Sequence, residues 1–215
     1  MDKQYILLDL DGTLTDSAEG ILNSFAYALN KYNIHVEDYK DLRKIIGPPL
    51  KDSFIKYYDF NEETAEEAVE QYRVYFKEKG MLENTVYENI DLFLKTLYDN
   101  GKTLIVATSK PTIFSKQILE HFNLAKYFKS IIGSNLDGSR MEKSDVIKYA
   151  LESNNIVDLS KVIMIGDRKY DILGAKENNI QSIGVLYGYG SYDELHSNGA
   201  DYIVRDVKEL LALFM

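Results

Sequence analysis

A layered α/β fold on a parallel sheet, with an all-helical insertion after its first strand, is predicted by three features of this sequence. Short apolar runs of strand length recur at Tyr5–Leu8, Leu104–Ala107, Val162–Ile165 and Ile183–Leu186, and runs that are apolar throughout read as strands buried on both faces. Helical periodicity fills the intervals between the later runs, which makes βαβ units. After the first run, no further strand signal appears until residue 104.

The elements are taken in chain order. Beyond the first strand, Ile21, Leu22, Phe25, Leu29 and Tyr32 form one apolar stripe, with Asp16 or Ser17 as the cap. Gly47-Pro48-Pro49 is a rigid break between two shorter helices. Asn61 caps a long helix with Ala65, Ala68, Val69, Tyr72 and Phe76 on one side, and Gly80 is expected as its C′ stop. The acidic stretch 62–70 reads as a solvated helix face. Asn89–Tyr98 carries Ile90, Phe93, Leu94 and Leu97 at helical spacing, and Thr112–Phe122 carries Ile113, Ile118, Leu119 and Phe122. Ser144 is expected to cap a helix running to Leu151. Shorter strand candidates are Ile131–Ile132 and Tyr202–Val204. The domain expectation is a core of residues 1–15 and 84–215 interrupted by a helical cap over 16–83.

Composition narrows the function classes. A net charge of −9 argues against nucleic acid as a partner, since that surface demands an electropositive face. A local cluster of metal and lysine can still draw a small anion. With no cysteine, disulfides, thiol nucleophiles and cysteine-ligated zinc are excluded. His35, His121 and His196 share no ligand spacing. No apolar stretch approaches the roughly 18 residues of a membrane span, and the first apolar run, cut by Asp9, is no signal segment. The expectation is a cytoplasmic monomer or small homo-oligomer with no membrane partner.

The chemistry is sought past the strand ends, because open parallel sheets bind ligands beyond the carboxyl ends of their strands. Asp9-Leu10-Asp11-Gly12-Thr13 comes after the first strand, Thr108-Ser109-Lys110-Pro111 after the second, and Gly166-Asp167-Arg168-Lys169-Tyr170-Asp171 after the strand at 162–165. Lys143 ends the segment past Ile131–Ile132. Carboxylates crowded at one edge repel each other without a counter-charge. Hard oxygen donors of this kind suit Mg²⁺, which binds one or two carboxylates together with substrate phosphate. A carboxylate can attack phosphorus, and a second can protonate the leaving alcohol and later deprotonate water.

Asp9-Leu10-Asp11-Gly12-Thr13, Thr108-Ser109, Lys143 and the segment from Gly166 to Asp171 together resemble the four motifs of the haloacid dehalogenase superfamily. They occur in the family's order, across residues 5 to about 190, with the helical segment where the family inserts a cap. The resemblance implies a Rossmann-like three-layer core with that cap. It implies Asp9 as nucleophile and metal ligand, and Asp11 as general acid/base whose backbone carbonyl is a second ligand. Thr108 and Ser109 would hold the phosphoryl oxygens, Lys143 would link nucleophile and phosphate, and Asp167 would bind Mg²⁺. Asp171 would support the metal directly or through water. Gly12 and Thr13 would form the tight turn toward the cap.

An acid at Asp11 is similar to the phosphatase branch rather than the dehalogenases, whose halide leaves without a proton. The nearest resemblance is to phosphoglycolate phosphatases acting on a small phosphorylated metabolite. Alternatives are a nucleotide 5′-phosphatase or pyrophosphatase, a β-phosphoglucomutase-like mutase, and a non-catalytic binding module. On the cap, Arg43, Lys44 and Lys51 flank the Gly47-Pro48-Pro49 turn with positive charge suited to an anionic substrate. The cap's connections to the core are expected near Leu14–Asp16 and Leu82–Thr85.

Overall fold

The computed structural model describes residues 1–215 apart from Lys40, Asp41 and Arg43, so the expectation for Arg43 lies outside the described residues. The chain gathers into two compact units, Met1–Thr15 with Val86–Met215, and Asp16–Thr85.

The first unit opens with β1 (Tyr5–Leu8). The chain leaves it through β2 (Thr15–Asp16) and returns through β3 (Thr85–Val86), two short strands that form a small sheet of their own. The remainder runs α4 (Ile90–Asp99), β4 (Thr103–Pro111), α5 (Thr112–His121), β5 (Phe128–Ser134), α6 (Lys143–Ser153), β6 (Val162–Gly166), α7 (Lys169–Glu177), β7 (Gln181–Val185), α8 (Tyr192–Ser197), β8 (Tyr202–Val204) and α9 (Val207–Ala212). The main sheet has six strands in the order β5-β4-β1-β6-β7-β8, every pair parallel.

The continuous apolar runs have a physical cause. Leu7, Ile105, Ala107, Val162 and Met164 point to one face, where they pack with Val146, Ile147, Ala150 and Leu151 of α6 and Ala175 of α7. Their neighbours Ile6, Leu8, Leu104, Val106, Ile163 and Ile165 alternate to the other face and are equally buried. Each such side chain contributes about 1.5–3 kcal/mol of burial. Phe93 of α4 meets Phe214, just past α9, edge to face at 6.0 Å.

After β5 the chain crosses back over β1 to start β6, so strand order reverses beside β1. That reversal opens a crevice at the carboxyl ends of β1, β4 and β6.

The second unit consists of α1 (Ala18–Asn30), α2 (Leu50–Tyr58) and α3 (Glu62–Tyr75), with a 3-10 segment Tyr39–Ile45 and a π turn Phe76–Gly80. Its core contains an aromatic stack among aliphatic residues: the Phe25 and Phe54 rings stack at 4.1 Å, and Phe54 stacks on Phe60 at 5.7 Å. Asn61 caps α3 by accepting the Thr64 N–H at 2.8 Å. Ser17 holds the cap position of α1, but Asp16 Oδ1 accepts the Ala18 N–H, at 3.1 Å. Gly47 has φ +108°, backbone that favours glycine, ahead of the proline pair.

Three local expectations are corrected. Gly80 does not end a helix in left-handed backbone. It sits where α1 passes so closely that a Cβ on Gly20 would lie 1.8 Å from the Gly80 carbonyl oxygen. Helix α6 begins at Lys143 with Glu142 at the cap, so the expected cap Ser144 lies inside the first turn. Strand β5 spans seven residues rather than the two apolar ones, because an edge strand needs few apolar side chains to keep its ladder with β4. No helix among the described residues is long and apolar enough to cross a membrane.

Candidate active site

The site is assembled from the segments just past β1 and β6, the carboxyl-terminal end of β4 and the first residue of α6. Past β1, the chain turns sharply: Gly12 N–H donates to Thr15 O at 2.8 Å, and the Leu14 and Thr15 N–H groups both donate to Leu10 O. Gly12 has φ +81°, and a Cβ there would lie 2.3 Å from Asp167 Oδ2. The turn therefore demands glycine both for its backbone and for the approach of the carboxylate.

Lys143 is the electrostatic hub. Its buried Nζ lies 2.8 Å from Asp9 Oδ1 and 2.8 Å from Asp171 Oδ1, and donates to Ala107 O at 3.2 Å. Burial opposes its charge, but the Asp171 and Asp9 carboxylates overcome that and lift it above the ordinary lysine range. Asp171 Oδ2 accepts the Arg168 N–H at 3.0 Å. Gly166 makes room for Asp171, since a Cβ there would lie 2.1 Å from Asp171 Cγ.

Asp9, Asp167 and Asp171 place one carboxylate oxygen each within 4.8 Å of one another, all three residues buried. Burial pushes Asp167 well above the usual carboxylate range, and the negative charges of Asp171 and Asp9 add to the push. Burial likewise raises Asp171 to about 6, although Lys143 pulls it down. Three hard oxygen donors face one ammonium, an excess of negative charge that a divalent cation would neutralise. The donor set fits Mg²⁺.

The remaining expected residues fall around this cluster. Thr108 is buried, and its Oγ1 accepts the Lys110 N–H at 3.3 Å, which leaves its own O–H to donate. Ser109 stands beside it at the end of β4, and its carbonyl accepts from the Ser134 hydroxyl at 2.8 Å. Thr13 Oγ1 lies 3.5 Å from Asp167 Oδ1. The Asp11 side chain stands outside the carboxylate cluster and pairs through Oδ2 with Lys110 Nζ at 2.9 Å. Asp11 Oδ1 is buried without a protein hydrogen-bond partner.

The two described cap lysines lie in the second unit. Lys51 is ion-paired with Glu62 and, at 2.7 Å, with Glu66, so its charge is met by α3. Lys44 rests 4.5 Å above the Tyr57 ring centroid.

Two further contributors reach the site without a motif to mark them. Lys110 lies near the end of β4, in the stretch 108–111 that the apolar run at Leu104–Ala107 does not mark as strand. The loop after β7 is the second: Tyr189 N–H donates to Asp167 Oδ2 at 2.7 Å, and Tyr187 hydroxyl donates to Thr13 O at 3.1 Å. The one available signal was the glycine spacing of Tyr187-Gly188-Tyr189-Gly190 past a strand.

A parallel sheet with a carboxylate-lysine cluster at its reversal point is the frame of an α/β enzyme whose site suits a metal ion and an anion. The chain belongs to the haloacid dehalogenase-like hydrolases, whose family model matches residues 6–185, and it is a phosphatase. It is 44% identical over 205 residues to a 5′-nucleotidase of Pseudomonas aeruginosa, covering 95% of this chain and 92% of that one. It is 29% identical to a phosphoglycolate phosphatase of Colwellia psychrerythraea, covering 98% and 96%. A tyrosine-protein kinase PtkA of Mycobacterium tuberculosis is 37% identical over 88% of this chain, which spans only 64% of that protein. Among solved structures, a predicted phosphatase from Clostridium acetobutylicum superposes with a TM-score of 0.95 at 59% identity, covering 99% and 98%.

Proposed function

We propose that this phosphatase is Mg²⁺-dependent, works through an aspartyl-phosphate on Asp9, and hydrolyses a small phosphomonoester. The observation that carries the reading is Lys143, bridging Asp9 and Asp171 beside Asp167. That arrangement holds a nucleophilic carboxylate next to a pocket of unbalanced negative charge.

The residues divide the work. Asp9, Asp167 and the backbone carbonyl of Asp11 would hold the cation, with Asp171 in support. When bound, the cation offsets the charge of the transferring phosphoryl group. The Asp9 carboxylate attacks phosphorus as the ester P–O bond breaks, and Asp11 gives its proton to the leaving oxygen. Water then loses a proton to Asp11 and attacks phosphorus, so that the Asp9 carboxylate leaves. The Thr108 hydroxyl, Ser109 and Lys143 donate to the phosphoryl oxygens as charge develops on them.

For the substrate, the 44% identity to a 5′-nucleotidase over nearly the whole chain outweighs the 29% to a phosphoglycolate phosphatase. That likeness supports a nucleoside 5′-monophosphate over phosphoglycolate as the substrate proposed here. In the second unit, Tyr27 packs on Tyr75, Tyr32 on Phe60 and Tyr72 on Phe76, so these four tyrosines are committed to ring contacts within the unit. Tyr57 with Lys44 is the pair best suited to meet a base and an anion together.

The test is phosphate release from nucleoside monophosphates, 2-phosphoglycolate and sugar phosphates, each with Mg²⁺ and with EDTA. Nucleotides should give the highest kcat/KM, and EDTA should abolish every activity. Preference for phosphoglycolate would reverse the order of substrates. Full turnover in EDTA would refute the metal role.

A further inference from the structure

The loop between β7 and α8 lies directly on the carboxylate cluster. Its backbone carries three contacts that no side-chain pattern announces. The Tyr189 N–H occupies Asp167 Oδ2 at 2.7 Å. Asp167 Oδ1 is met only loosely, by Thr13 Oγ1 at 3.5 Å. A Cβ on Gly188 would lie 2.2 Å from Gly12 O and 2.4 Å from Asp167 Cβ, and one on Gly190 would lie 1.9 Å from Asp167 O. The Tyr187 ring leans edge to face on Tyr87 at 5.0 Å, which aims its hydroxyl at Thr13 O, 3.1 Å away. Burial and the nearby Asp167 charge raise the Tyr187 phenol, so it stays a protonated donor.

We propose that Tyr187–Gly190 is a positioning element for the cation site, a fifth contributor beside the residues after β1 and β6, at the end of β4 and at the start of α6. The inference rests on the divalent-cation reading above. A carboxylate can present either oxygen to a metal. Here the Tyr189 N–H holds Oδ2, which reserves Oδ1 for the cation. The Tyr187 hydroxyl pins the Gly12-Thr13 turn from the other side, so Asp167 and the turn keep a fixed distance. The two glycines are required because their backbone, rather than a side chain, must touch the ligand residue. Groups that orient metal ligands in this way typically cost about 10–100-fold in metal affinity when lost.

The experiment is calorimetric titration of Mg²⁺ into the wild-type chain, Tyr187→Phe, Gly188→Ala, Asp167→Asn and Gly199→Ala, with metal-free melting curves for each. Gly199 is the control for generic strain, since its φ is +87° and an added Cβ would meet nothing within 4 Å. Wild type should bind, and Asp167→Asn should not. Gly188→Ala should weaken binding about ten-fold or more. Tyr187→Phe should weaken it about ten-fold, and the lost buried hydrogen bond should lower the metal-free melting temperature by a few degrees at most, no more than Gly199→Ala does. Gly199→Ala should lower the melting temperature without altering Mg²⁺ affinity. Wild-type affinity in both Tyr187→Phe and Gly188→Ala, with binding lost in Asp167→Asn, would overturn this inference and leave the cation reading standing. Equal weakening in Gly199→Ala would also overturn it, as a general stability effect. If Gly188→Ala does not fold, Tyr187→Phe decides alone. Absence of binding to the wild type would overturn the inference together with the cation reading.

Discussion

Lys110 Nζ lies 2.9 Å from Asp11 Oδ2, an ion pair with little exposure on either side chain. It joins the end of β4 to the turn after β1 and fixes where the Asp11 carboxyl sits. A buried pair of this kind is destabilising to break, because the partner left behind keeps an uncompensated charge.

The first prediction concerns that pair. Asp11→Asn should lower kcat/KM on an alkyl phosphate by about 100- to 10,000-fold, the span of general acid-base contributions. The loss should be far smaller on p-nitrophenyl phosphate, whose leaving group departs without a proton. Lys110→Met should show the same asymmetry at smaller size, since it misplaces the acid without removing it. Steady-state kcat/KM on the two substrates decides it, and equal losses on both would remove Asp11 from protonation of the leaving group.

The second concerns pH. Asp167 and Asp171 have pKa values raised by folding, Asp171 to about 6. Groups raised in this way favour the native state while protonated, and that contribution fades as pH rises through the folded value. Metal-free protein should therefore melt higher near pH 5 than near pH 8. Mg²⁺ should reverse the trend by binding the ionised carboxylates. Melting curves in EDTA and in Mg²⁺ across this range check it, and a metal-free curve that rises from pH 5 to 8 would contradict it.

The third separates the cap lysines. Lys51 is ion-paired with Glu62 and Glu66, whereas Lys44 stands over Tyr57. Lys51→Ala should leave kcat/KM on nucleotides near the wild-type value. Lys44→Ala should lower it selectively for nucleotides and spare p-nitrophenyl phosphate, because remote binding energy is lost while the core chemistry remains. The reverse ranking would move substrate recognition to Lys51.

The sequence was most legible where side-chain chemistry directly succeeds an apolar run. Asp9, Thr108 and Asp167 each stand at the end of a continuous strand signal, and the sheet that carries them buries both faces. Legibility failed where backbone does the work. The contact of Tyr189 N–H with Asp167, and the space at Gly188, Gly20 and Gly80, depend on which segments approach each other, and periodicity carries no such information. The pairing of Lys110 with Asp11 is of the same kind, since the two residues lie on different strands' ends and meet only through the order β4-β1. Lys51 is another such case: its charge is met by two carboxylates of a helix later in the chain, which spacing around the Gly47-Pro48-Pro49 turn does not convey.

The proposed mechanism turns on Asp9 carrying the phosphoryl group. The decisive experiment is rapid mixing of the wild-type protein with p-nitrophenyl phosphate and Mg²⁺, acid quench, borohydride reduction and peptide mass spectrometry. Reduction of an aspartyl-phosphate leaves homoserine. Homoserine is expected at position 9, dependent on substrate and Mg²⁺, and absent in Asp9→Asn. Turnover with an unmodified Asp9 throughout, or with the adduct on another residue, would contradict the assignment.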